Sequence, residues 1–245
     1  MSQHLAADLL TELQAPEPPT PTTPQRTTPR HRADPPPAIG DPVVVPPAAP
    51  GARATLLETL RRRMSVRFYA PTAIAAGVVA DLIGAGLDAD AALWPDAGGE
   101  TFEATVLAFR VAGLVPGIYR YERAGRRFLR IADLPGAAEL FNLTLQQEFC
   151  RSAAIISLGA DLQAHAEARG AHGYRRVAGR AGAAAYTMWL ESVAAGLVGS
   201  VFAGFIPASV RRPLRSDGAA RHQMFALAIG APPAPSDVQR QSSAG

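Results

Sequence analysis

The sequence predicts an α+β domain, a sheet flanked by helices, and three observations carry that reading. Short β-rich runs at 103–111, 118–122, 127–131, 153–160 and 223–230 alternate with helical stretches but keep no strict strand–helix–strand rhythm. The longest helical stretch, Tyr174 to Ala195, is alanine-rich and apolar on most sides, as a helix packed among other helices must be. Residues Ala15 to Gly51 are dense in proline and threonine and have no apolar period to offset the cost of ordering a backbone. The expected organisation is therefore a disordered tether over 1–51, a folded domain over 52–233 and a flexible tail over 234–245.

The elements follow in order. "ATLLETLRRRM" predicts a helix, and "AIAAGVVADLIGAGLDA" predicts a second, entered through Pro71 and Thr72. After a loop at 93–101, the strand "EATVLAFRV" leads through the turn "AGLVPG" to "IYRYE", and the turn "RAGR" leads on to "RFLRI", a meander of hairpins. A helix is expected around Pro135 to Phe149, then the strand "AAIISLGA", the long helix, "GSVFAGF", a short helix "PASVRRPL" and the apolar strand "QMFALAIG". The opening Ser2 to Leu13 spaces Leu5, Leu9, Leu10 and Leu13 helically, and reads either as a docking helix for a partner or as a frayed terminus.

Composition narrows the class. With 48% hydrophobic and 18% charged residues the balance is that of a globular protein, and the longest apolar runs, such as 181–185, are far too short to span a bilayer, so no membrane partner is expected. The N-terminus lacks a charged leader with an apolar run behind it, and the single cysteine, Cys150, allows no disulfide framework, so a cytoplasmic location is expected. Cys150 follows a phenylalanine and reads as a packing residue. The tether's arginines are scattered and offset by acids, which argues against nucleic acid as a partner.

All 24 basic side chains are arginine, and four of them stand in "LRRRMSVRFY", Leu60 to Tyr69. Guanidinium groups make paired, charge-assisted bonds to phosphate oxygens, so Arg63, Ser65 and Arg67 after a helix are suited to holding a phosphate. By residue type alone they equally fit a solvated basic face.

The order of motifs resembles a known family. "RRRMSVRFYAPTAI" is similar to the entrance of the nitroreductase superfamily, in which an Arg-x-Ser-x-Arg/Lys-x-Phe stretch grips FMN. "WPDAGGETFEATVLAFRVAGLVPGIYRYE", "QQEFCRSAAIISLGADL" and "HGYRRVAGRAGAAAYTMWLESVAAGLVGSVFAGF" resemble, in the same order, the loop, helix-to-strand passage and long helix of SagB-type dehydrogenases and azoline oxidases. The likeness runs from about Leu56 to Pro232. It implies a nitroreductase-like fold with a mainly antiparallel central sheet, in a domain-interlocked homodimer with FMN at the subunit interface. It further implies that Arg63, Ser65 and Arg67 bind the phosphate and ribityl oxygens, with Met64 contributing backbone. Pro95, Asp96, Ala97 and Gly98 would approach the flavin from the partner chain, and Ala203 and Gly204 would set backbone amides near its reducible nitrogen. Arg240 is a further phosphate candidate in the tail.

The resemblance also locates departures. The Lys-Tyr pair of the azoline oxidases, read as their base, is replaced by Ala168 and Arg169, and Asp96 stands where serine is usual. The long helix has Ala183, Tyr186 and Thr187 in place of polar His, Gln and Asn. Arginine does not deprotonate in proteins, so the catalytic candidates are His172, because histidine titrates near neutrality, and Tyr174. A partly exposed histidine at a helix start is the alternative for His172. Asp161, His165 and His172 nearly share a helical face, but a break at Gly170 or Gly173 would spoil it, and no metal is expected.

The expected function is that of an FMN-dependent oxidoreductase that dehydrogenates azolines or other Cα–Cβ bonds in a peptide natural product, with other biosynthetic enzymes as candidate partners. The alternatives are an NAD(P)H-dependent nitro, quinone or enone reductase, and a catalytically degenerate scaffold subunit.

Overall fold

A computed structural model describes residues 34–95, 102–203, 205–218 and 221–234, the side chains at 168, 171 and 207 excepted. Its strands are β1 (Val43–Val44), β2 (Ile74–Ala75), β3 (Glu103–Ala108), β4 (Val111–Ala112), β5 (Gly117–Glu122), β6 (Arg127–Ala132), β7 (Ala154–Ala160), β8 (Val198–Phe202) and β9 (His222–Gly230). The helices are α1 (Leu56–Arg62), α2 (Ala76–Leu93), α3 (Ala137–Leu140), α4 (Leu162–Arg169), α5 (Ala171–Ala194) and α6 (Pro207–Val210). A 3₁₀ turn covers Gln147–Arg151.

Seven strands form one sheet in the order β1-β6-β5-β3-β7-β9-β8, and every neighbouring pair is antiparallel. The meander read from the sequence supplies β3, β5 and β6, and β7 lies in the interior of the sheet between β3 and β9 with all seven residues buried. Burial on both faces explains its largely apolar run, in which the one polar side chain, Ser157, donates to Gln223. Successive residues of a strand face opposite sides, so Ile156 joins a core formed with α2 and α5 while Ile155 joins a second core with Leu143, Phe149 and Leu214. Helices α2 and α5 cover the first face, and Asp90 and Arg180 pair between them, both buried. No helix among the described residues is long and apolar enough to cross a membrane.

Several boundaries differ from the expectation. Helix α2 begins at Ala76, because Ile74–Ala75 instead pairs in parallel with Val111–Ala112. The helix expected over 135–149 is only α3, followed by turns and the 3₁₀ turn. Within it, the Thr144 hydroxyl donates to the Gln146 carbonyl at 2.7 Å, a local bond of the kind that competes with helical pairing. Helix α6 stops at Val210, where Pro213 prevents continuation.

The tether expected to reach Gly51 also needs correction. β1 pairs Val43 with Phe128 and Val44 with Arg127 as the sheet edge, and Val45 is buried. The Val45 amide donates to the Arg126 carbonyl at 3.1 Å, and the Ala48 amide to Asp81 at 3.0 Å. Prolines on both sides hid this strand, yet an edge strand tolerates them because one row of its backbone groups needs no partner. Positions 1–33 lie outside the described residues. A chain starting at Gly51 is expected to be less stable than one starting at Asp34 by about 2–4 kcal/mol, from the buried valine and its backbone bonds. Urea unfolding of the two chains checks this, and equal midpoints would show the edge strand to be dispensable.

Candidate functional site

Helix α1 starts at a capping box in which the Thr55 hydroxyl accepts from the Glu58 amide and the Glu58 carboxylate accepts from the Thr55 amide. It ends at Arg62, and Arg63 is already extended. The chain from Arg63 to Tyr69 then runs as a strap along β8. Ser65 bridges Gly199 in parallel, the Val66 amide donates to the Gly199 carbonyl at 3.2 Å, and the Ser200 and Tyr69 hydroxyls both donate to the Val66 carbonyl at 3.0 Å. Burial pushes the Tyr69 phenol well above its ordinary pKa, and the Glu148 carboxylate adds to the effect, so this donor stays protonated. Gly199 permits the arrangement: a Cβ there would lie 2.3 Å from the Ala228 carbonyl oxygen.

The strap presents the predicted donors. The Arg63 guanidinium lies 4.8 Å from the centre of the Trp189 ring and 5.9 Å from that of Tyr186, and no carboxylate among the described residues pairs with it. The exposed Ser65 hydroxyl makes no hydrogen bond among the described residues. Arg67 is exposed and 3.9 Å from Glu148, a solvent-screened pair that contributes little. Met64 is exposed as well. Two guanidinium groups and a hydroxyl, with one long exposed ion pair, to Glu148, between them, fit a phosphate monoester such as that of FMN. Ala203 follows the end of β8, four residues beyond Gly199 and so about 13 Å along the strand. The preceding Phe202 stacks on Phe149 at 4.4 Å.

The other candidates lie elsewhere. His172, half-buried, and Tyr174, exposed, occupy the first turn of α5, after a break at Gly170 with φ of 58°. Pro95 ends α2 on the same side, because the neighbouring Trp94 ring lies 5.3 Å beneath the Arg176 guanidinium, one turn beyond His172. Trp189, which seats Arg63, comes 17 residues after His172, about 25 Å along the helix. The structure therefore sets Arg63 and the strap that follows it against the C-terminal part of α5 and the start of β8, and places Pro95, His172 and Tyr174 at the other end of α5, with Ala203 at the far end of β8. A single chain does not bring the two catalytic candidates to the arginines. Asp96, Ala97, Gly98, Gly204 and Arg240 lie outside the described residues.

Two further expectations concern single residues. Asp161 caps α4 through the Ala164 amide at 2.8 Å, and His165 is buried in that helix. Cys150 is buried, its thiol donates to the Leu140 carbonyl at 3.2 Å, and burial pushes its pKa up, as befits packing rather than reactivity. Sequence reasoning marked Tyr186 only as a departure and missed Trp189. The signal was two aromatics three positions apart on one helix, which place their rings on one face.

Comparison with known proteins adds the following. A family model described as the nitroreductase family matches residues 60–231. A search of curated proteins gives no match. Among solved structures, a protein assigned to the nitroreductases from Anabaena variabilis superposes with a TM-score of 0.61 at 22% identity over 73% of this chain, which spans only 38% of that protein. A chain of the Escherichia coli microcin synthetase complex McbBCD, solved with truncated pro-MccB17 bound, gives 0.53 at 12% identity, covering 78% of this chain and 77% of its own. A protein assigned to the nitroreductases from Desulfovibrio desulfuricans, solved with FMN, gives 0.50 at 20% identity, covering 74% and 88%. At these identities the likeness is one of fold.

Proposed function

The chain belongs to the nitroreductase family of oxidoreductases, and from that premise we propose that it is FMN-dependent and dehydrogenates azoline or other Cα–Cβ bonds of a peptide natural product, as a SagB-type enzyme does. The observation that carries the reading is the strap against β8, whose Arg63 and Ser65 have no acceptor among the described residues and whose Arg67 has only a long, exposed pair with Glu148. The fold shared with a chain of a complex solved with pro-MccB17 supports a peptide substrate and association with other biosynthetic enzymes. A cytoplasmic location fits that reading.

When bound, FMN supplies the two-electron acceptor. Arg63, Ser65 and Arg67 hold its phosphate end, Ala203 and Gly204 offer backbone amides where negative charge gathers, and Met64 contributes main chain. His172 takes the substrate proton at an imidazole nitrogen, with Tyr174 in the same turn, because neither an alanine nor an arginine can serve as a base at 168 and 169. The two ends of α5 are too far apart for one chain to do both, so the active unit is a homodimer in which Pro95, Asp96, Ala97, Gly98, His172 and Tyr174 of one copy face the strap of the other. Exposed Leu56, Leu57, Leu60 and Met64 on and after α1 provide apolar surface for that contact.

The test is the visible absorption spectrum of the purified chain, with chromatography of the cofactor released by heat. FMN is expected; FAD, or no flavin after reconstitution, would sink the reading. His172→Ala is expected to lower turnover by about a hundredfold while FMN stays bound, the size of effect expected for a lost general base. Wild-type turnover in that variant would place the base elsewhere. A second reading, reduction of a nitro, quinone or enone acceptor by NAD(P)H, is favoured by Ala168 and Arg169 standing where the Lys-Tyr base is absent. It takes over if the wild type is reduced by NAD(P)H yet oxidises no peptide.

A further inference from the structure

We propose that Tyr186 and Trp189 are positioning residues for Arg63: their rings hold the guanidinium by cation–π contact, Trp189 the nearer, and pre-place it for a phosphate-type anion. The inference rests on the flavin reading of the strap and adds to it two residues of α5.

The geometry is that of a built seat. The two rings stand edge-to-face, with centroids 6.0 Å apart and planes at 83°, and the guanidinium lies 4.8 Å and 5.9 Å from their centres. Both distances are within cation–π range, and indole offers the strongest such face. Trp189 is buried, with its relative exposure at 6%, so it roots the seat in the core, while Tyr186, at 40%, carries it to the surface. The Trp189 indole N–H is buried with no acceptor among the described residues. A leucine or phenylalanine would avoid that cost, so an indole here gains over leucine through its ring face.

The consequence for binding follows from how arginine pays for contacts. A free arginine loses much rotamer freedom when it grips an anion, and a planar group stacked in advance has less to lose. A ring attracts the cation without a lone-pair acceptor, so the seat takes up no hydrogen bond that a phosphate oxygen would need. Arg61 and Arg62, in the last turn of α1, are exposed and have no such ring contact among the described residues.

The test uses the full chain carrying Trp94→Phe, which leaves Trp189 as its single indole and keeps a ring beneath Arg176. FMN and inorganic phosphate are titrated separately, followed by Trp189 emission and, where the indole is replaced, by flavin fluorescence and by calorimetry. Trp189→Leu and Tyr186→Leu are each expected to weaken both ligands about tenfold, whereas Trp189→Phe and Tyr186→Phe stay within about threefold of the parent. Thermal midpoints of the leucine and phenylalanine versions at each position are expected to agree, which separates seating from folding. Unchanged affinity in the leucine variants overturns this inference alone, and so does a phenylalanine variant as weak as its leucine counterpart. If the parent binds neither FMN nor phosphate, the flavin reading falls and this inference falls with it.

Discussion

Replacing Arg63 and Arg67 together by alanine is expected to weaken FMN binding by a factor on the order of a hundred to ten thousand. Each charge-assisted bond contributes about 1.5–3 kcal/mol, and the pair removes two of them. The fold is expected to survive the change. Arg63 makes no ion pair among the described residues, and the pair between Arg67 and Glu148 is exposed and long at 3.9 Å. The neighbouring Arg61→Ala and Arg62→Ala provide the control, since both side chains are exposed on the same helix, and their FMN affinity should match the wild type. Equilibrium titration of apoprotein with FMN reads the effect. An affinity unchanged in the double variant would return Arg63 and Arg67 to the role of a solvated basic face and remove the foundation of the proposed function.

The second large effect concerns the core that carries α5. Arg180 donates to Asp90 through two bonds, Nε to Oδ1 at 3.0 Å and Nη2 to Oδ2 at 2.8 Å, and the side chains are only 2% and 7% exposed. The Phe102 ring lies 5.3 Å from the same guanidinium. Asp90→Ala removes both of these bonds from a buried guanidinium, which costs about 3–5 kcal/mol, enough to lower the thermal midpoint by on the order of 10 °C. The double replacement Asp90→Leu with Arg180→Met should recover part of the loss, because the buried cation is removed together with its carboxylate. Thermal and urea unfolding check both variants. A loss under about 1 kcal/mol in Asp90→Ala would mean that water reaches the pair and that it does not clamp α2 to α5.

Much of the fold was legible because its signals are local. The turn residues 123–126 join β5 to β6, the largely apolar run of β7 announces an interior strand, and the alanine-rich stretch from Tyr174 to Ala195 is nearly all of α5. The strap was legible as a motif, since Arg63, Ser65 and Arg67 are recognisable by order and spacing. Failures fell where a distant partner outweighs local preference. Val43 and Val44 sit among prolines and become a strand only because β6 offers an edge. The stretch from Pro135 to Phe149 has helical residues, yet Leu143 and Phe149 are drawn into the second core and the helix ends at Leu140.

By itself the sequence determined the class of fold, the run of most elements and the family resemblance, because propensity, turn chemistry and motif spacing are properties of neighbouring residues. Only the tertiary structure decided which of the named residues meet. It set Asp90 against Arg180 across 90 positions, laid Arg63 over Trp189 and Tyr186, and put His172 and Tyr174 about 18–25 Å from that seat towards the other end of α5. The physical reason is that such contacts depend on how whole elements cross and pack, and each must repay the entropy of closing a long loop. No pattern within either segment encodes that outcome.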